Sequence, residues 1–110
     1  MSTGKFEIKQ DAKGEYRFNL KAGNGQVILS SEGYAAKDGC LNGIESVKKN
    51  AVEMGRFERK EATNGKHHFN LKSTNGQVIG SSQLYADVSG LENGITSVMT
   101  NAPEAVVEEM

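Results

Sequence analysis

Apolar and polar residues alternate along residues 5–10: Phe6 and Ile8 point one way, and Lys5, Glu7 and Lys9 the other. That is the period of a half-buried strand. Alternation returns over residues 15–22, with Tyr16, Phe18, Leu20 and Ala22 on one face and Arg17, Asn19 and Lys21 on the other. Between the two runs lies Asp11-Ala12-Lys13-Gly14, whose glycine suits the left-handed position of a three-residue hairpin loop with a bulge. Such a loop pairs Gln10 with Tyr16 and Ile8 with Phe18, so the apolar faces agree. Asn24-Gly25 then predicts a type I′ hairpin. It would set Leu20 opposite Leu29, Ala22 opposite Val27, Lys21 against Ile28 and Arg17 against Glu32. Over residues 36–51 the spacing becomes helical, with Cys40, Ile44, Val47 and Ala51 on one face. Val52-Glu53-Met54 runs straight on into the next strand, so the unit reads β-β-β-α-β.

The pattern occurs twice. Gly4–Ala51 lies over Gly55–Ala102 without a gap, and more than half of the positions are identical. Phe18-Asn19-Leu20-Lys21 returns as Phe69-Asn70-Leu71-Lys72, and Asn24-Gly25-Gln26-Val27-Ile28 as Asn75-Gly76-Gln77-Val78-Ile79. The helical face returns as Leu91, Ile95, Val98 and Ala102, and Pro103 stops the second helix. The expected fold class is α+β: two tandem β3-α-β repeats forming one mainly antiparallel sheet, with both helices on one face. Repeat 1 spans 4–54 and repeat 2 spans 55–107. A unit of about 50 residues is marginal alone, so 1–110 is expected to be one domain with a shared core. Leu29 becomes Gly80, Tyr16 becomes His67 and Ile8 becomes Arg59, which predicts a weaker core in the second half.

Charge changes this picture little. Thirteen Lys and Arg against 14 Asp and Glu give a net charge of −1, which favours neither nucleic acid nor a membrane surface. No apolar run reaches membrane length. One cysteine makes no internal disulfide, and a reducing cytoplasm is the expected location.

The run Asn24-Gly25-Gln26-Val27-Ile28-Leu29-Ser30-Ser31, then Tyr34, then Gly39-Cys40-Leu41-Asn42-Gly43-Ile44-Glu45-Ser46-Val47, with its second copy, resembles the YegP-like family of uncharacterised bacterial proteins in its duplicated form. The likeness covers nearly the whole chain. It implies a fold in which the two units build one sheet and exchange their last strands, and it implies no activity. Arg59 departs from the pattern locally.

Two surfaces are candidates for function. Asn42, Ser46 and Asn50 stack at i, i+4 and i+8 beside the apolar helix face, and Asn93, Ser97 and Asn101 repeat them. Gly39, Gly43, Gly90 and Gly94 lie in the same sectors. Mid-helix glycine costs about 1 kcal/mol relative to alanine, so close backbone approach is expected there. The two helices are expected to pack side by side at these glycines, with the amides bonded across the seam; the alternative is a polar cleft holding a small ligand or an enzymatic site. The second surface is the outward sheet face, where Lys5, Lys9, Arg17, Lys21, Arg56, Lys60 and Lys72 outnumber Glu7 and Glu58. Arg17, Lys21 and Lys72 are its candidate anion-facing residues, for weak nucleic-acid binding. Stacking aromatics are missing from that face, which does not favour nucleic acid.

Other candidates are bland. Cys40 aligns with Leu91 at a core position, and Tyr34 and Tyr85 are expected to cap the sheet edge with bonded hydroxyls. Adjacent His67 and His68 point to opposite faces and cannot chelate one metal together. No cofactor or metal is expected. The leading expectation is a non-enzymatic binding or interaction module, monomeric with internal pseudo-twofold symmetry, its partner left open.

Overall fold

Four hairpins close in the same way and set the frame of the sheet. In the computed structural model, which describes residues 4–62 and 64–109, the first joins β1 (Lys5–Gln10) to β2 (Tyr16–Lys21). Asp11 N–H donates to the Glu15 carbonyl at 2.8 Å, Gly14 N–H donates to the Asp11 carbonyl at 3.0 Å, and Gly14 has φ of 86°. This is the expected loop, and Gln10 pairs with Tyr16 and Ile8 with Phe18. The hairpin from β2 to β3 (Val27–Ser30) differs from the type I′ expectation. Ala22 N–H donates to the Gln26 carbonyl at 2.9 Å, and only Gly25 has positive φ. Asn24 stays right-handed and its Oδ1 accepts from Gln26 N–H at 3.0 Å. Three loop residues shift the register by one, so Lys21 pairs with Val27 rather than Ile28. A bulge at Ile28 restores Leu20 opposite Leu29, which keeps both leucines on the core face. Repeat 2 copies each step in β4 (Phe57–Glu61), β5 (His67–Lys72) and β6 (Val78–Ser81).

The strands form one sheet in the order β4-β5-β6-β3-β2-β1-β7, with β7 spanning Val106–Glu109. Helices α1 (Lys37–Asn50) and α2 (Val88–Asn101) cover one face. Cys40, Ile44, Val47 and Ala51 are buried, as are Leu91, Ile95, Val98 and Ala102. They rest on Phe6, Phe18 and Leu20 in one half and Phe57, Phe69 and Leu71 in the other, in one continuous core. All sheet pairings are antiparallel except β1 with β7.

The halves meet at β3 and β6, which pair at Ser30 and Ser81. Beside that pair Leu29 lies over Gly80: a Cβ placed on Gly80 would come within 2.8 Å of Leu29 Cγ. The weaker core expected from Gly80 is therefore not what forms. Two leucines at the pseudo-twofold axis would collide, and one leucine, 1 % exposed, fills the space of both.

Among the described residues seven strands stand where two five-element units would give eight. Residues 106–109 form β7, and 55–58 are their counterparts in repeat 1. Those residues already carry a short 3-10 turn, Met54–Arg56, and the start of β4. They cannot be both the last strand of one unit and the first of the next. Among the described residues strand exchange is thus one-sided: β7 leaves repeat 2 and pairs with β1, while β4 ends the sheet with no strand on its outer side. Arg59 follows from this. Its counterpart Ile8 lies under β7 and is 3 % exposed, whereas Arg59 stands at the uncovered edge and pairs with Glu92.

Candidate functional site

The helix glycines receive tyrosines, not the other helix. A Cβ on Gly43 would meet Tyr34 Oη at 2.4 Å and Phe18 Cε2 at 3.1 Å; one on Gly94 would meet Tyr85 Oη at 2.3 Å. Each tyrosine pairs through its backbone with β2 or β5 and lays its ring along its own helix. Tyr34 stacks on Phe18 at 6.3 Å and Tyr85 on Phe69 at 6.4 Å. Burial pushes the Tyr34 and Tyr85 hydroxyls and the Cys40 thiol above their ordinary pKa ranges. The expected helix-to-helix seam, and the edge-capping role for the tyrosines, are corrected by this packing.

Once the glycines are filled by tyrosines, the polar stripes face the hairpins of the opposite repeat. Asn42 and Ser46 line an open groove of about 780 Å³ with Ser73 and Thr74 from the β5–β6 hairpin, and Lys48 and Lys49 stand on its wall. Across the pseudo-twofold, Asn93 and Ser97 line a groove of about 290 Å³ with Ala22, Asn24 and Gln26 from the β2–β3 hairpin; its counterpart on α1 is not the first groove but an adjoining one of about 480 Å³, where Asn42 and Ser46 meet Ser73, Asn75 and Gln77. The two stripes therefore do not come together.

Within each stripe the residues divide. Asn50 is buried and donates to the Ser46 carbonyl at 2.8 Å, while its Oδ1 accepts from Arg56 Nε at 3.1 Å. Asn101 donates to the Ser97 carbonyl at 2.8 Å in the same manner. Both tie the last helical turn. Asn42 and Asn93 are exposed in the grooves.

The outward sheet face carries most of its cations in ion pairs. Lys21 lies 3.0 Å from Glu7, Lys72 lies 3.0 Å from Glu58, and Arg17 lies 2.9 Å from Asp11 rather than against Glu32. Glu7 is 4 % exposed although it faces outward, because Lys5 and Lys21 close over it. These bonds, to Lys21, Arg17 and Lys72 in turn, hold the Glu7, Asp11 and Glu58 carboxyls below their usual range. All three candidate anion-facing residues are thus engaged by carboxylates.

Lys48, Lys49, Ser73 and Thr74 were not singled out from the sequence, although a signal existed. They stand where the repeats differ: Met99 and Thr100 replace the lysines, and Ala22 and Gly23 replace the hydroxyl residues. Among the described residues no three His, Cys, Asp or Glu side chains group as a metal site. No helix of the described residues is long and apolar enough to cross a membrane.

Comparison with known proteins adds lineage. A family model described as a domain of unknown function, DUF1508, matches residues 11–58 and again 62–109. The chain is 56% identical over 108 residues to a UPF0339 protein in the ptx operon 5′ region of Stutzerimonas stutzeri, covering 98% of this chain and 97% of that one. It is 46% identical over 106 residues to the UPF0339 protein YegP of Escherichia coli K12, covering 96% of each. The solution NMR structure of the E. coli protein yegP, described as of unknown function, superposes with a TM-score of 0.94 at 45% identity, over 99% of this chain and 94% of that one. A UPF0339 protein of Shewanella oneidensis gives 0.92 at 44% identity, over 99% and 92%.

Proposed function

The chain belongs to the DUF1508 family in its tandem form, and from that premise we propose that it is a non-enzymatic binding module whose site is the groove between α1 and the β5–β6 hairpin. One observation carries the reading. Lys48 and Lys49 stand on that groove beside the hydroxyl and amide groups of Asn42, Ser46, Ser73 and Thr74. Ammonium groups next to neutral hydrogen-bonding groups suit a small polar anion. Glu45 is the carboxylate on this wall, and among the described residues no histidine or second carboxylate lines the groove, so the lining supports holding rather than proton transfer.

The matching surface of α2 supplies the control. It keeps Asn93 and Ser97 but carries Met99 and Thr100 where α1 carries Lys48 and Lys49, so the anion preference belongs to one repeat of the pair. The test is calorimetric titration with inorganic phosphate and with citrate, for the native chain and for Lys48→Met/Lys49→Thr. Those substitutions install the residues of repeat 2, so the fold accepts them. Binding by the native chain that falls about tenfold or more in the variant supports the reading. Equal binding by both proteins, or none by either, refutes it.

A further inference from the structure

The groove beside Lys48 and Lys49 does not end at Asn42. It runs into the adjoining groove of about 480 Å³ and shares Asn42, Ser46, Ser73 and Thr74 with it. On the α1 wall Asn42, Ser46 and Lys49 stand at i, i+4 and i+7, on one face of the helix. A rise of about 1.5 Å per residue sets Lys49 about 10 Å along the helix from Asn42. The two ends differ in chemistry. At one end, two lysines against Glu45 leave one net positive charge. Among the described residues neither lysine is held in an ion pair, whereas Arg17, Lys21 and Lys72 on the sheet face are. At the other end no cation lines the groove among the described residues; Asn75, Gln77 and Tyr34 stand there with the carboxylate of Glu32.

We propose, resting on the anion reading of the first groove, that the two grooves together hold one polyhydroxylated anion of monosaccharide size, such as a sugar phosphate. Its charged group sits at Lys48 and Lys49 and its hydroxyls lie in the adjoining groove. Hydroxyls both donate and accept hydrogen bonds, and so do the side-chain amides of Asn42 and Gln77. Both amides are exposed, and among the described residues their side chains bond to no other group. Glu32 only accepts, so it takes hydroxyl protons and repels a second anionic group. The charge of the ligand is therefore confined to its other end. Buried Ile79 and the Tyr34 ring supply apolar surface for the C–H groups of a sugar.

The duplication separates the two halves of this site. Asn42 and Gln77 return as Asn93 and Gln26 in the groove of α2, although the exposed neighbours Glu45 and Lys49 become Thr96 and Thr100. Packing demands neither amide, since neither has an internal partner. The α2 groove thus keeps the half that suits hydroxyls and lacks the half that suits an anion. A ligand carrying both groups gains from both halves only on α1.

The test is amide-shift titration of the full labelled chain with inorganic phosphate, glucose and glucose 6-phosphate. Glucose 6-phosphate should bind about tenfold or more tighter than either of the other two. It should move Tyr34, Asn75 and Gln77 together with Lys48 and Lys49, whereas phosphate moves the lysine end alone. In Gln77→Ala the advantage of glucose 6-phosphate over phosphate should shrink toward nothing, and in Lys48→Met/Lys49→Thr its advantage over glucose should do the same. Equal affinity for glucose 6-phosphate and phosphate, with shifts confined to the lysine end, would overturn this inference and leave the anion site standing. An undiminished advantage in Gln77→Ala, or equal shifts in the α2 groove, would overturn it as well. No binding of either anion would overturn both.

Discussion

Exchanging alanine into Gly80 should destabilise the native protein yet stabilise its Leu29→Ala variant. The new Cβ would lie 2.8 Å from Leu29 Cγ and Cδ2 and 3.1 Å from Cδ1, inside ordinary contact distance. Leu29 is packed at the centre of the sheet and has nowhere to withdraw, so overpacking there costs about 1–3 kcal/mol. Losing a glycine from a strand returns roughly 0.5–1 kcal/mol. The net loss for Gly80→Ala is then about 1 kcal/mol, or a fall in Tm of roughly 4 °C. Leu29→Ala removes the obstruction and opens a cavity, at about 3 kcal/mol. In that background the methyl of Ala at position 80 meets open space, and only the favourable term remains. The double variant should therefore be more stable than Leu29→Ala by about 0.5–1 kcal/mol. Urea unfolding at pH 7, followed by circular dichroism, gives all four free energies of the cycle. If Gly80→Ala has the same sign in both backgrounds, one leucine is not filling the space of two, and the account of the repeat junction is wrong.

Other expectations follow from the same geometry. Gly43→Ala should destabilise, because its Cβ would strike the Tyr34 ring and hydroxyl, while Gly39→Ala, with Tyr34 no nearer than 3.4 Å, should stabilise by about 0.5–1 kcal/mol; thermal melts that rank them the other way contradict the tyrosine packing. The carboxyls of Glu7, Asp11, Glu58 and Glu92 have depressed folded-state pKa values, through Lys21, Arg17, Lys72 and Arg59 respectively. Protons therefore bind the unfolded chain more readily, so this stability is complete above the ordinary carboxyl range and lost as pH falls through about 4 toward 2. Urea midpoints should drop over that interval, and drop less in Glu7→Gln; a midpoint that rises on acidification has the wrong sign. Residues 1–54 and 55–110 expressed separately should each lack a sharp monomeric melting transition, since the core crosses the repeat junction. A cooperative melt from either monomeric fragment would show that the halves are independent.

Much of the fold was legible because periodicity and duplication both report local geometry. Gly14 fixed the first hairpin, and the spacing of Cys40, Ile44 and Val47 fixed the buried helix face. Asn24-Gly25 misled because Asn24 bonds Gln26 N–H from a right-handed conformation, and the bulge at Ile28 then repairs the register. The helix glycines were correctly marked as points of close approach, but the approaching group was not. Tyr34 reaches Gly43 only once β2 has paired with the segment that carries it, a tertiary arrangement that helical spacing does not encode. The candidate site was legible in half. Asn42 and Ser46 do line a groove, whereas Asn50 and Asn101 bond to their own helices. The lysines and the hairpin hydroxyls lay hidden at positions where repeat comparison shows divergence rather than agreement.

The central claim is that the groove beside Lys48 and Lys49 is a binding site, whereas the matching surface of α2, with Met99 and Thr100 in their places, is not. Two-dimensional amide-shift mapping of the native chain with citrate reads both surfaces in one spectrum. The account predicts shifts at Asn42, Ser46, Lys48, Lys49, Ser73 and Thr74, with Asn93, Ser97 and Asn24 unmoved. Equal shifts on both surfaces, or shifts gathered instead on the sheet face around Arg17, Lys21 and Lys72, would contradict it.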